Sequence, residues 1–562
     1  YESAILRDSI FLATEKGVWC GSLKANLLDF NNWKKITSGE FSNGVKVITT
    51  FNNTIYTAVD DSGLFRKTGS NWNKESFLQN LIYTKLKGLD SKLLICAGSS
   101  LWQINIQNIV TEVASAQITH PNDVIERSGN LYIGDEAKGI LQISTGNIAT
   151  SFITSGPAIS SIWRIGQEQN STHAIGGGYS KAITSLNNVG IQSTFINDWS
   201  NASLSISDIT DLDLSDPSRS YFASFNDGLL QKSQQGELKY DISNSPLQTN
   251  SVTAIERGSD GLWVASYNTN KSLQLLLNDG SWESFSFSSL QSKFPVDLLR
   301  DFDNSIWMRI SPQGGGGLVV FNKQSNTNVY LSDQGSQGGL PTKNVSSFAM
   351  DREGQVWIGT EQGVAFFSDP SLIFSGNVNA TRPIYDSRFL LRDENITALA
   401  VDGGNRKWIG TENGVWLFDA LGEKLIHNFT VDNSPLLSNF IQCIGINNTS
   451  GEVFFGTNKG MASFRSDATI GNENFNHVKI FPNPVTAHFN GFVAIEGLTT
   501  DSFVKITDVA GKLIWQVVAN GGTASWNMRD TKGNRVETGI YLVFSTSADG
   551  ADKNIGKIAI IE

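Results

Sequence analysis

The sequence predicts an all-β chain: two seven-bladed β-propellers, the first incomplete in this sequence, followed by a C-terminal β-sandwich. Three observations carry this. A block "KWIGTENGVWLFD" (407–419) is echoed by "VWIGTEQGVAFFSD", which begins 51 residues upstream at Val356. Looser copies recur along most of the chain at a period of ~40–50 residues, the range of propeller blades. Near residue 470 the repeats stop, and short alternating runs separated by Gly and Asp turns take over.

Taken in chain order, eleven repeats are visible: "ILRDSIFLATEKGVWCGSL" (5–23), "VKVITTFNNTIYTAVDDSGLFR" (45–66), "YTKLKGLDSKLLICAGSSLWQI" (83–104), "NDVIERSGNLYIGDEAKGILQI" (122–143), "ISSIWRIGQEQNSTHAIGGGYSKAI" (159–183), "ISDITDLDLSDPSRSYFASFNDGLLQ" (206–231), "VTAIERGSDGLWVAS" (252–266), "VDLLRDFDNSIWMRI" (296–310), "VSSFAMDREGQVWIGT" (345–360), "ITALAVDGGNRKWIGT" (396–411) and "IQCIGINNTSGEVFFGT" (441–457). Each parses into four strands. In the repeat from Asn395, "ITALAVD" suits an inner strand, "DGGN" a tight turn and "RKWIGT" a second strand. "ENG" turns on Gly414, free to take positive φ, into "VWLFD", and "KLIHNFT" is the polar outer strand. A four-stranded sheet cannot cover both its faces alone, so the Trp and Ile of one blade must fill the face of the next. Trp263, Trp307, Trp357 and Trp408 are therefore expected between blades rather than as stacking platforms for sugars.

Propellers close with four to eight blades, so eleven repeats need two rings. The last seven, 159 to 464, make one ring, and the polar "STGNIATSFITSGPA" (144–158) is the expected seam. The four front repeats are expected to belong to a larger ring whose earlier blades are absent. The tail runs "FVKITDV", "KLIWQVV", "TASWNM" and "IYLVFST" describe a small antiparallel sandwich. The expected domains are thus 1–155, 156–475 and 476–562.

Composition fits this reading and excludes others. At 562 residues the chain has room for two to four domains, and Gly at 53 and Trp at 14 mark turn-rich β structure. A net charge of −11 without any run of Lys or Arg leaves no footprint for nucleic acid. No apolar run reaches the ~18–20 residues of a spanning helix. The chain opens at Tyr1 without Met, as a mature form or a piece of a longer product would. Cys20, Cys96 and Cys443 lie far apart, as buried thiols rather than a disulfide or zinc set.

No catalytic, metal or cofactor constellation is expected. His120, His173, His427, His477 and His488 are scattered, without ligand or nucleophile spacing. "DDSG" (60–63), "DREG" (351–354) and "DGGN" (402–405) sit where hairpins must turn and lack the EF-hand pattern. "GGGG" (314–317) lacks G-K-[ST] and precedes a strand, so it reads as a flexible blade loop. Binding specificity in a propeller lives in such loops, and the cations near them are Lys323, Lys343, Arg352 and Arg382, which also read as ordinary surface charge.

The tail resembles the C-terminal sorting domain of type IX secretion cargo from Bacteroidetes. The residues that carry this are Pro482, Asn483 and Pro484 in "FPNP", Asp508, Gly511 and Lys512 in "ITDVAGKLIW", and Gly539 and Tyr541 in "GIYLVF". The "WIGTENG" blocks resemble two-component-regulator propeller repeats. Together they resemble the two-propeller surface components of the type IX system, whose fourteen blades imply about three before Tyr1 and leave consecutive and nested rings both open. The resemblance implies a non-catalytic scaffold in a cell-surface attachment complex, exported through the periplasm to the outer membrane. Its implied partners are a PorU-like sortase, PorV-like and PorQ-like outer-membrane β-barrel proteins, and anionic lipopolysaccharide. It also lets Lys512 act as a recognition charge, where turn chemistry alone makes it a solvated hairpin residue. Two other classes were open: a secreted glycan-binding or glycan-degrading propeller, and a sensor ectodomain, which needs a membrane helix where the tail lies.

Overall fold

The computed structural model describes residues 2–36, 40–41, 44–113, 117–144, 149–152, 156–168, 171–180, 183–184, 190–196 and 198–561. It forms two compact units, Tyr1–Ser155 and Gly156–Glu562. The expected seam at 144–158 lies partly outside the described residues, and the division between the two units falls within it.

The first unit is a row of four antiparallel four-stranded sheets, spanning 3–36, 47–74, 83–112 and 121–152. Their inner strands, Ser3–Leu6, Val47–Phe51, Tyr83–Gly88 and Pro121–Arg127, pack side by side in that order. Glu2 ties three of these blades: its carboxylate meets Lys85 Nζ at 2.6 Å and accepts the amide of Ile48 at 3.1 Å. Asp135 accepts from the amides of Thr119, His120, Ala137 and Lys138 and from the Thr119 hydroxyl. Burial works against its charge, but those donors prevail and its carboxyl falls to about 2.

The second unit begins with a closed ring of seven blades: blade 1 (164–203), blade 2 (209–240), blade 3 (252–285), blade 4 (295–331), blade 5 (345–367), blade 6 (396–429) and blade 7 (441–465). The "IGT" block states how neighbours fit. A side chain at Gly359 would lie 2.6 Å from Ile396 Cγ2, and one at Gly410 would lie 2.8 Å from Ile441 Cγ2. Each glycine is thus the socket for the isoleucine that opens the next blade. The same device shuts the ring, because a side chain at Gly456 of blade 7 would lie 2.8 Å from Cγ2 of Ile162, which leads into blade 1. The Ile162 amide also donates to the Thr457 carbonyl at 3.0 Å. The threonines of the block close its hairpins. Thr360, Thr411 and Thr457 donate to the carbonyls of Gly363, Gly414 and Gly460, and those glycines hold φ of +84°, +121° and +128°.

Two features differ from what the repeats predict. Every repeat is expected to hold four strands, yet blades 5 and 7 have three among the described residues. In blade 5 the third strand is followed by a 3-10 turn, Pro370–Ser375, started by Pro370 and capped by Asp369, and its outer edge is met by Thr381, which exchanges backbone hydrogen bonds with Phe366. "GGGG" is no open loop either: Pro312–Gly314 is helical, Gly314 is buried, and the Gly317 amide donates to Lys343 O at 2.7 Å.

Trp307, Trp357 and Trp408 are fully enclosed between blades, and Trp263 is 2% exposed. The indole N–H groups of Trp307, Trp357 and Trp408 are satisfied locally. Asp301, Asp351 and Asp402 accept from Trp307, Trp357 and Trp408 at 2.8, 3.1 and 3.0 Å, while the same carboxylates take turn amides. The Asp of each "D-x-x-x-x-x-W" turn therefore serves turn and core together. Lys407 adds a buried tie between blades, 3.1 Å from Asp351 and 4.8 Å from the Trp357 ring centre.

After blade 7 the chain enters a two-sheet sandwich. One sheet holds Lys479–Phe481, Val493–Glu496 and Thr523–Trp526; the other holds Val485–Thr486, Lys553–Ile561, Gly539–Thr546, Phe503–Asp508 and Leu513–Val518. The core includes Ile495, Val504, Ile506, Trp526, Tyr541, Val543 and Ile558. One pair departs from the antiparallel expectation, since Val485–Thr486 runs parallel to the last strand. The connection 466–472 is gripped from both sides. Arg406 of blade 6 donates to Asp467 at 2.7 Å and to Ser466 at 2.6 Å, and Asn520 of the sandwich donates to Asp467 at 3.1 Å. Thr469 O accepts the Gly522 amide at 2.9 Å, and Gly521 lies so close that a Cβ there would sit 2.0 Å from that oxygen.

Candidate binding site on the ring axis

The inner strands of the seven blades line the axis, and residues at the starts of the first blades bond across to their neighbours. Thr210 donates to Val252 O at 2.8 Å, Thr253 to Pro295 O at 2.8 Å, and Trp163 Nε1 to Thr210 O at 2.9 Å. One residue further along, blades 1, 2 and 4 carry Arg164, Asp211 and Asp297. Arg164 lies 2.9 Å from Asp211 and reaches Asp297, three blades away, at 2.7 Å. Arg309 approaches Asp297 at 3.7 Å. Burial opposes the charge on Arg164, but the two carboxylates outweigh it and its pKa rises. Burial likewise opposes Asp297, and Arg164 and Arg309 pull its carboxyl below the usual range. Burial pushes Asp211 up, against the guanidinium and the amides of Ile255 and Leu212.

A second tie crosses the axis beside the first. Tyr179 of blade 1 donates its hydroxyl to Val296 O of blade 4 at 3.0 Å. It continues an aromatic arc, Trp163–Tyr179–Phe225–Tyr267–Phe294, with successive ring centres 4.9 to 6.0 Å apart. These two ties partition the channel. On the side of blades 5 to 7 there remains a cavity of about 430 Å³, bounded by Arg164, Tyr179, Asp297 and Arg309 and by the inner strands carrying Ser347, Phe348, Thr397, Leu399, Gln442 and Cys443. Asn344, Glu361, Asn395 and Glu412 also line it, at the strand ends of blades 5 and 6. Asn344 donates to Glu361 at 2.7 Å and Asn395 to Glu412 at 2.8 Å. The Cys443 thiol is pushed up to about 12 by burial, which leaves it unreactive near neutral pH. Glu256, on the inner strand of blade 3, is pushed up to about 8 by burial and by the nearby Asp211 and Asp297.

The residues singled out in the sequence fall elsewhere. Lys323 is engaged by Asp260 and Glu283 at 3.0 and 2.9 Å, Arg352 by Asp402 O at 2.7 Å, and Arg382 lies 4.1 Å from the Phe389 ring centre. Lys343 is exposed beside the cavity mouth. His173 is buried, bonded to Ser171 at 2.8 Å and Gln192 at 2.7 Å. Among the described residues no three His, Cys, Asp or Glu side chains gather as a metal site.

The tail residues do converge, on one end of the five-stranded sheet. Between Pro482 and Pro484, Asn483 donates to Lys557 O at 2.8 Å and accepts the Ala559 amide at 3.0 Å, sealing the edge of the last strand. Asp508 accepts the amides of Ala510 and Lys512 at 2.9 Å, closing a turn in which Gly511 has φ +84°. Asp508 pairs across strands with Tyr541, two residues from Gly539, and the Tyr541 hydroxyl donates to Glu537 O at 2.8 Å. The Lys512 side chain is exposed.

Fold and axial site together define the class: a multi-bladed β-propeller protein with an accessible cavity on a ring axis. Residues 339–362 match the family described as Two component regulator propeller. Among solved structures the chain is similar to PorZ of Porphyromonas gingivalis, described as an essential bacterial surface component of the type-IX secretion system. That similarity has a TM-score of 0.67 at 22% identity and covers 100% of this chain and 81% of PorZ, so the chain has a PorZ-like propeller fold. The extracellular domain of BT4673 from B. thetaiotaomicron, assigned to a hybrid two-component system, aligns at 13% identity and TM-score 0.44, over 100% of this chain and 85% of its own. No curated protein sequence matches.

Proposed function

We propose that the protein is a non-catalytic cell-surface scaffold of a type IX secretion attachment complex, which binds lipopolysaccharide and supports the sortase that joins it to secreted cargo. The observation that carries this reading is the PorZ-like propeller fold, in a similarity that covers 100% of this chain. The convergence of Asn483, Asp508, Gly511 and Tyr541 at one end of the sandwich supports its role as a type IX sorting domain, with Lys512 displayed on the turn they shape. The partners on this reading are a PorU-like sortase and PorV-like and PorQ-like barrel proteins at the outer membrane. The four candidate cations favour anionic glycan binding only at Lys343, since the other three are already engaged. The test is co-purification from native membranes of the full chain and of a chain ending at residue 476. The full chain should recover a sortase-like protease, a barrel protein and lipopolysaccharide, and the truncated chain should stay in the periplasm. Surface display of the truncated chain, or recovery of the full chain alone, would point instead to a free glycan-binding propeller.

A further inference from the structure

The five-stranded sheet of the sandwich has two edges, and they are finished differently. At one, Val485–Thr486 and the Asn483 carboxamide cover the last strand from Lys557 to Ile561, and the uncovered start of that strand carries Lys553. Covering and charge both keep a sheet edge from pairing with another chain. The other edge, Leu513–Val518, has neither. No charged residue lies between 513 and 522, and Leu513, Val517 and Val518 are exposed. The strand is nonetheless fixed in place, with Ile514 and Trp515 packed on the core and the Trp515 and Trp526 ring centres 6.5 Å apart. A bulge at Ile514 lies at its start and leaves 515–518 in regular register. The hydrogen-bond phase follows from Ala519, whose amide donates to Ser502 O at 2.9 Å. Alternation then turns Trp515 and Val517 toward Ile506 and Val504, and points the amides and carbonyls of Gln516 and Val518 away from the sheet. Among the described residues nothing bonds to those two amides and two carbonyls.

Unpaired backbone groups in the plane of a sheet are met by another extended backbone, which adds a strand. The charge of that strand can be read from the same surface. The outer face of the sheet carries Lys505, Lys553 and Lys557 among exposed Phe503, Ile540 and Ile555, and no Asp or Glu stands at an outward position of its four long strands. Among the described residues none of the three lysines forms an ion pair. In a chain of net charge −11 this face is cationic. Lys512 stands at the head of the open strand and Lys505 lies opposite Gln516, so both border the free edge. A second copy would add a second set of lysines to the same face, whereas an acidic segment offsets them. We infer that the edge at Gln516 and Val518 takes up an extended acidic segment of another protein as a sixth strand of this sheet. The inference rests on the edge and its charges, not on the scaffold reading.

The test is fluorescence anisotropy of the full chain with three labelled peptides: one alternating Val and Glu, one with Lys in place of Glu, and one with Pro in place of Val, which keeps the charge but cannot form a ladder. The Val/Glu peptide should bind at least tenfold more tightly than either of the others, and its binding should slow hydrogen exchange across 513–520. Gln516→Pro removes an amide that only the added strand would use, so it should weaken that peptide by tenfold or more. Val518→Glu, at an exposed position, should do the same by charge, with the loss shrinking as salt is raised. Unchanged circular dichroism melts establish that both variants fold. No binding of the Val/Glu peptide, equal binding of the Pro peptide, or full binding by both variants would overturn the inference. So would a dimer in sedimentation that Gln516→Pro dissolves, since a second copy would then occupy the edge.

Discussion

Lys407 and Asp351 offer a sharp test of how adjacent blades are held. Both side chains are 1% exposed, the ion pair measures 3.1 Å, and Lys407 has one further bond, to Asn405 O at 2.7 Å. Asp351 is better supported, by the Trp357 indole and the amides of Glu353 and Gln355. Removing one partner of a buried pair costs about 3–5 kcal/mol because the other charge is stranded. Lys407→Met should fall below that range, at about 2–3 kcal/mol, since Asp351 keeps three donors. Asp351→Asn should fall within it, because the ammonium keeps only a carbonyl and a ring face. The double variant should cost less than the two singles together, by about 1–3 kcal/mol. Burial already lowers the Lys407 pKa, with Asp351 opposing. Folding therefore releases protons below the unfolded value of 10.5, and stability attached to this group rises with pH in that window. Asp351→Asn removes the opposition, so its deficit should shrink as pH is raised from 7 to 10. Urea unfolding followed by tryptophan fluorescence, with hydrogen exchange locating the change in blades 5 and 6, provides the numbers. Strict additivity, or a deficit for Asp351→Asn under about 0.5 kcal/mol at every pH, would refute the reasoning.

Two further predictions concern the same ring. Glu256, lifted by burial from 4.5 to about 8, takes up a proton on folding between those values, so stability should decline as pH rises from 4.5 to 8. Glu256→Gln should remove that slope and gain about 1–3 kcal/mol at pH 8, below the full linkage value because the side chain is partly open to solvent; identical melting profiles for both proteins would contradict it. A Cβ at Gly456 would meet Cys443 Sγ at 2.5 Å and Ile162 Cγ2 at 2.8 Å, so Gly456→Ala should destabilise the ring by about 1–3 kcal/mol. Gly335→Ala, with open space around it, serves as the control in thermal melts, and equal melting of the two variants would contradict the socket role of Gly456.

The repeats make the fold legible because a blade is local: strand, turn and Trp lie within about twenty residues, so "WIGTENG" displays its whole hairpin. The axis is the opposite case. Arg164 and Asp297 are 133 residues apart, and Tyr179 finds Val296 across 117, with no pattern at either end. Only ring closure brings them together. Glu361 and Glu412 were visible as the repeated Glu of "GTEQG" and "GTENG", but a hairpin turn explains a Glu equally well from sequence. The third strand of blade 5 ends in "SDPS", and there Pro370 turns the chain into a 3-10 segment where period alone asks for another strand. In the tail, alternation announced the strands, whereas the carboxamide of Asn483 lying along residues 557–559 depends on a contact across more than seventy positions.

The doubly gripped connection at 466–472 has a directional consequence. A domain on a loose leash samples many orientations, and whatever holds it leaves the rest of the molecule free to tumble. Here Asp467 is bound at once by Arg406 and Asn520, and glycines at 403 and 521 admit the backbone of Thr469 with no room to shift. Sandwich and ring therefore move as one lever. Any receptor that seizes the sandwich at its Asp508–Lys512 turn also fixes the compass bearing of the ring axis, and so chooses which way the cavity mouth faces.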